Sequence, residues 1–152
     1  MENKNPVPQG KYVPAARFGS LIFTAGMTPR RNGTLICSGK VRADAPLELY
    51  REAVHQAAGN ALTAARNMLT QGERIERILQ LTVYINAEEG FVLHSKLADL
   101  SAEYLCEQLG EAGVAARAAV GVASLPGDAP VEIQMICAAC SQADENIRPE
   151  TD

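Results

Sequence analysis

Leu79-Gln80-Leu81-Thr82-Val83-Tyr84-Ile85-Asn86 alternates apolar and polar side chains without a break. In a strand, successive side chains point to opposite faces, so this pattern specifies a half-buried β-strand over residues 75–86. Leu79, Leu81, Val83 and Ile85 form its core face, and Gln80, Thr82, Tyr84 and Asn86 the other. Upstream, residues 47–71 place Val54, Ala57, Ala58, Ala61, Leu62, Ala65, Met68 and Leu69 on one helical stripe. Arg51, Glu52, Gln56, Thr63, Arg66 and Asn67 lie opposite. Pro46 suits the start of that helix and Gly72 its end. Its alanine-rich stripe lets it lie close against a sheet. Downstream, residues 91–109 read as a second helix with Leu93, Leu97, Leu100, Tyr104, Leu105 and Leu109 inside and Gly110–Gly113 closing it.

Working outward, residues 11–17 and 20–25 read as two short strands joined at Phe18-Gly19. A turn follows at Arg31-Asn32-Gly33-Thr34, then a further short strand over 34–37. Two more strands, over 116–123 and 130–138, flank a Pro126-Gly127-Asp128 turn. The order strand, strand, helix, strand, helix, strand, strand predicts an α+β sandwich, with both helices on one face of a mixed sheet. One domain covers residues 1–140. The polar tail 141–152 is expected to be disordered.

The chain has 152 residues, 47% hydrophobic and 21% charged, which is ordinary for a globular domain. Its 14 basic and 18 acidic side chains give a net charge of −4, which argues against nucleic-acid binding as its main task. Arg30-Arg31, the lone basic dipeptide, reads as a solvated turn. Neither a secretory signal nor an apolar run of about 20 residues occurs, so a cytoplasmic location without membrane association is expected. Cys137 and Cys140 have C-x-x-C spacing, but on a strand their thiols face opposite sides and cannot meet. All four cysteines are expected to be free thiols. The two histidines, His55 and His94, fall on helices and form no metal cluster, and His55 is expected to face solvent.

One charged residue interrupts the apolar stretch Val114-Ala115-Ala116-Arg117-Ala118-Ala119-Val120-Gly121-Val122-Ala123. A guanidinium stays protonated when buried and needs an anion. Alternation puts Ala118, Val120 and Val122 on the apolar face, leaving Arg117, Ala119 and Gly121 opposite. In the last strand Val131, Ile133, Met135 and Cys137 are apolar, leaving Glu132 and Gln134. If the helices cover the apolar face, then Arg117, Glu132, Gln134, Gln80 and Thr82 share the uncovered one. A hairpin through residues 125–129 would bring Arg117 close to Glu132. Two outcomes stay open: the pair satisfy each other, or they line a pocket for a small anion at a subunit junction.

Several segments, in order, resemble the Rid family, the YjgF-type reactive intermediate deaminases formerly described as L-PSP endoribonucleases or translation inhibitors. They are Gly10-Lys11-Tyr12-Val13-Pro14-Ala15, Leu21-Ile22-Phe23-Thr24-Ala25-Gly26, Asn60-Ala61-Leu62, Thr82-Val83-Tyr84-Ile85, Ala116-Arg117-Ala118-Ala119-Val120, Leu125-Pro126 and Val131-Glu132-Ile133. The likeness spans residues 10–138 and is greatest to a longer branch of the family. It implies a chorismate-mutase-like fold, assembled as a homotrimer with clefts at the subunit interfaces. It further implies a cofactor-free enzyme without a metal, which hydrolyses 2-imino or 2-enamino acids to 2-oxo acids and ammonia. In that reading Arg117 grips the substrate carboxylate and Glu132 activates water. Tyr12 closes over the cleft, and Gly26, Ser95 and Ala119 help to line it. Three positions depart from the family pattern: Ala118 replaces a frequent serine or threonine, Ala25 a frequent serine, and Ser95 a frequent asparagine. A trimer that binds small carboxylates without turnover is the alternative, and a ribonuclease the third reading.

Overall fold

The computed structural model describes residues 5–143, and the polar tail from 144 onward lies outside them. Strands β1 (Ala15–Phe18) and β2 (Leu21–Thr24) form a hairpin, turned at Gly19 with φ +60°. A two-residue pair follows, β3 (Arg30–Arg31) with β4 (Thr34–Leu35), turned at Asn32 and Gly33 with φ of 53° and 82°. Helix α1 (Arg51–Arg66) starts from a 3-10 turn at Leu47–Tyr50 behind Pro46. Then come β5 (Glu73–Asn86), α2 (His94–Leu109), β6 (Ala116–Val122) and β7 (Val131–Ser141). The α+β reading holds, with α1 ending earlier than the periodicity alone predicts.

The main sheet has five strands in the order β1-β2-β7-β5-β6. Every neighbouring pair is antiparallel except β5 and β6, which run parallel. A parallel pair needs a crossover connection, and α2 supplies it. The core lies between the helices and one sheet face. Ile22, Leu81, Val83, Ile85, Val131 and Ile133 are at most 1% exposed there. Each such side chain contributes roughly 1.5–3 kcal/mol through its removal from water. From α1 the buried side chains are mainly alanines: Ala53, Ala57, Ala58, Ala61, Ala64 and Ala65, with Val54 and Leu62. Gly59 gives α2 the same close approach, since a Cβ there would sit 2.9 Å from the Tyr104 hydroxyl.

The chain leaves β6 and must cross the end of β5 to begin β7, because β5 lies between them. The hairpin expected through residues 125–129 does not exist. A polar anchor holds the crossing. Asn86 is fully buried and accepts a hydrogen bond from Lys40 Nζ (2.7 Å). Its amide donates to Asp128 Oδ1 (2.9 Å) and Ala129 O (3.1 Å), while Lys40 also donates to Ala123 O (2.7 Å).

Three side-chain placements differ from the sequence reading. Register shifts in β5 between Ile75 and Arg77, and between Ile78 and Gln80, bury Ile78 and turn Leu79 outward at 39% exposure. A bulge adds one residue and reverses the alternation. Leu93 precedes α2 and is exposed, whereas Phe91 is buried. His55 does not face solvent: its Nε2 is buried without a described partner, and its ring lies 5.4 Å from Tyr104.

Candidate functional site

The sequence-predicted residues fall into two groups on opposite faces of the sheet. Arg117 aligns with Leu81, Ala119 with Val83 and Gly121 with Ile85, so all three project toward the helices. Ala118 and Val120 face away from them and are exposed. This reverses the face expected for β6. Glu132 aligns with Tyr84 and Gln134 with Thr82 on the helix-free face, as expected. Arg117 and Glu132 therefore do not pair within one chain.

Arg117 lies on an edge strand, its side chain 19% exposed, against the first turns of α2. Nη2 donates to Ser95 Oγ (3.0 Å) and Ser95 O (3.2 Å), and pairs with Asp99 Oδ1 at 3.0 Å. All three contacts use the same nitrogen. Among the described residues Nε and Nη1 have no acceptor. The side chain borders an open cleft of about 550 Å³ lined by Val92, His94, Ser95, Ala119, Val120 and Gly121. His94 stands edge-on to Phe91, with ring centroids 5.0 Å apart. Gly121 leaves it room, since a Cβ there would lie 2.6 Å from His94 Nε2.

The second group surrounds Glu132. Met27 and Ile133 exchange backbone hydrogen bonds of 2.7 and 2.9 Å, which brings the chain at Gly26 alongside the Glu132 side chain. A Cβ at position 26 would stand 1.9 Å from Glu132 Oε1, so only glycine admits the carboxylate in this pose. Tyr12, Thr28, Arg30 and Pro126 complete a cleft of about 370 Å³. The Tyr12 hydroxyl accepts a hydrogen bond from Gln9 N at 3.0 Å. Glu132 has no hydrogen-bond or ion-pair partner among the described residues. Burial raises its pKa above the ordinary carboxylate value, because desolvation disfavours the charged form.

Two residues of these clefts escaped the sequence reading. Asp99, one helical turn beyond Ser95, supplies the anion for Arg117. Arg30 is not a solvated turn residue: Nη1 donates to Gly33 O (2.9 Å), and Nε is buried without a partner among the described residues. Nothing in the local sequence signals either contact, as both depend on how β3 and α2 dock. The C-x-x-C pair behaves as expected, with Cys137 buried and its thiol pKa pushed up to about 12 by desolvation. Among the described residues no group of His, Cys, Asp and Glu could hold a metal ion, and no helix is long and apolar enough to cross a membrane.

A mixed five-stranded sheet backed by two helices, with clefts at its edge and open face, defines the class. The chain belongs to the Endoribonuclease L-PSP family, which it matches over residues 2–139. It is similar to the Agrobacterium tumefaciens protein Atu1372, of unknown function, with 32% identity and TM-score 0.75, covering 84% of this chain and 81% of that one. A Shewanella oneidensis MR-1 protein provisionally described as an endoribonuclease is 26% identical with TM-score 0.80, covering 89% of each chain. The YjgF gene product of Escherichia coli shares the fold at 23% identity and TM-score 0.63, covering 90% of this chain and 94% of that one.

Proposed function

We propose that this protein is a cytoplasmic, cofactor-free deaminase of 2-imino and 2-enamino acids, working at clefts between copies of the chain. One observation carries the reading: the partly buried Arg117 lines an open cleft, and two of its guanidinium nitrogens, Nε and Nη1, have no acceptor among the described residues. A carboxylate entering the cleft can accept from those charged donors.

Glu132 supplies the second function from the other face of the sheet, so a site using both needs two protomers. The helix-free face favours such an assembly. Phe18 is 84% exposed, and Phe23 and Val120 are each 41% exposed. A homotrimer that packs these faces inward would set the Arg117 edge of one copy beside the Tyr12, Gly26 and Glu132 cleft of the next. Ser95 and Ala119 would complete the Arg117 side.

The chemistry asks little of the protein. In R–C(=NH)–COO⁻ + H2O → R–CO–COO⁻ + NH3, water adds to the imine carbon, and the C–N bond then breaks. Arg117 would fix the carboxylate and so the reacting carbon. Glu132 would take a proton from the attacking water and return it to the departing nitrogen. Its raised pKa brings it closer to the working pH, where a base is most effective.

The test generates 2-aminoacrylate in situ and follows pyruvate release, with Arg117→Ala alongside. Acceleration that depends on Arg117 is expected, and a rate equal to the uncatalysed one overturns the reading. A second reading, a trimer that binds small carboxylates without turnover, is favoured by Ala25 and Ala118, which lack hydroxyls common at these positions. Binding of 2-oxobutyrate without turnover would establish it. The net charge of −4 disfavours ribonuclease activity, despite the family's description.

A further inference from the structure

Arg30 is a charged side chain of the Glu132 cleft to which imine hydrolysis gives no role. Its position is fixed from α1: Asn60 Nδ2 donates to Thr28 O (3.1 Å) and Arg30 O (2.8 Å). Its neighbour Arg31 is engaged by Glu52 and Gln56. Arg30 itself makes no ion pair among the described residues. Gly33 O holds Nη1, and among the described residues Nε and Nη2 have no acceptor; Nε is buried, which leaves Nη2 as the available donor. Gly127 lets the chain pass close to Nη2, since a Cβ there would stand 2.9 Å from it. A charged N–H without an acceptor is a strong partner for a carboxylate.

The space around Arg30 is larger than a three- or four-carbon acid needs. The Glu132 cleft shares Gln9, Tyr12, Gly26, Thr28 and Arg30 with an adjoining chamber of about 740 Å³ that reaches Gln56 and Asn60. A substrate seated at Glu132 can therefore extend past Arg30 into this chamber.

We propose that Arg30 selects dicarboxylic 2-imino acids, donating to the side-chain carboxylate from Nη2. This rests on the reading of the site as a 2-imino acid deaminase. Arg117 holds the carboxylate beside the reacting carbon, and Arg30 holds the distal one. A substrate with a neutral side chain leaves Arg30 unsatisfied.

Binding of the product-like 2-oxoglutarate and 2-oxobutyrate to the native assembly tests the proposal by calorimetry, without any variant. 2-Oxoglutarate is expected to bind about tenfold tighter or more, as one added charged hydrogen-bonded contact implies. In Arg30→Gln the ratio of the two affinities should fall to near one, and Arg30→Lys should restore part of it through charge alone. Equal affinities in the native protein overturn the proposal, as does a ratio unchanged in Arg30→Gln. Failure of the parent reading looks different: Arg117→Gln would then leave the binding of both acids intact. Turnover of 2-iminoglutarate, formed in situ by an amino-acid oxidase, should show the same preference as a lower KM.

Discussion

Arg117 and Glu132 stand on opposite faces of one sheet, the first in register with Leu81 of β5 and the second with Tyr84. These alignments lie three positions apart along β5, yet the side chains cannot meet in one chain. Chemistry that uses both is thus chemistry between chains. Phe23→Asp and Val120→Asp, on the helix-free face, should break the assembly and reduce deaminase activity at least tenfold. Size-exclusion chromatography with light scattering reads the first effect and pyruvate release the second. A fully active monomer would contradict the shared site.

Removal of the Arg117 fork should be expensive. Arg117→Ala is expected to cost roughly 2–5 kcal/mol in carboxylate affinity. Arg117→Lys keeps the charge but loses the planar pair of donors, so its loss should be smaller but still measurable. Calorimetry with 2-oxobutyrate separates the two.

Glu132→Gln should pull activity and stability apart. On the proposed mechanism the general base is lost, so kcat should fall by about 10²-fold or more. Stability should rise. The folded pKa lies above the unfolded one, so ionising this group costs stability as pH rises through that interval, and the penalty persists at neutral pH. Relief of that penalty should lift Tm by a few degrees at pH 7 and by little at pH 4. In the unsubstituted protein, the acid limb of the proposed activity's kcat against pH should fall above the ordinary carboxylate range.

Gly26→Ala tests the packing that positions this carboxylate. The new Cβ would overlap Glu132 Oε1, which is the mobile end of a side chain and can swing away. A stable fold with kcat reduced about tenfold or more is the expected outcome. Circular dichroism and pyruvate release check the two halves of that statement.

Glu73 predicts the acid limit of stability. Arg17 Nη1 and Nη2 donate to its two oxygens at 2.6 and 2.7 Å, and Thr70 N donates at 2.8 Å. Arg17, followed by the backbone and side chain of Thr70, holds the Glu73 pKa down to about 2. The sign is that of a depressed carboxylate: its contribution is present above the unfolded pKa and is lost as pH falls toward 2. Glu73→Gln should therefore lower Tm at pH 7 and flatten the decline of Tm between about pH 4.5 and pH 2.

The layer order, both helices and the sheet's mixed character were legible because β5, β7, α1 and α2 carry strong periodic contrasts. Strand β6 was not, and the reason is its composition. Ala116, Ala118, Ala119 and Gly121 differ too little in size and polarity to report which side is buried, so Val120 and Val122 decided the parity, wrongly. The expected hairpin failed for a related reason. Strands close in sequence are usually neighbours, and only the pairing of β6 with β5 shows that the connection skips a strand. Arg117, Ser95 and Ala119 do share one cleft, and Tyr12, Gly26 and Glu132 another. Arg30 and Asp99 were silent, since their roles come from docking rather than from local pattern.

Lys40 and Asn86 rivet the crossing that leads from the arginine-bearing strand to the carboxylate-bearing one. The same stretch carries Pro126 into one cleft and Gly127 against Arg30. Natural variation at position 40 or 128, far from any reacting atom, would slacken this span and retune which molecules the protein accepts. Divergence in selectivity across relatives could thus be written outside the pockets themselves.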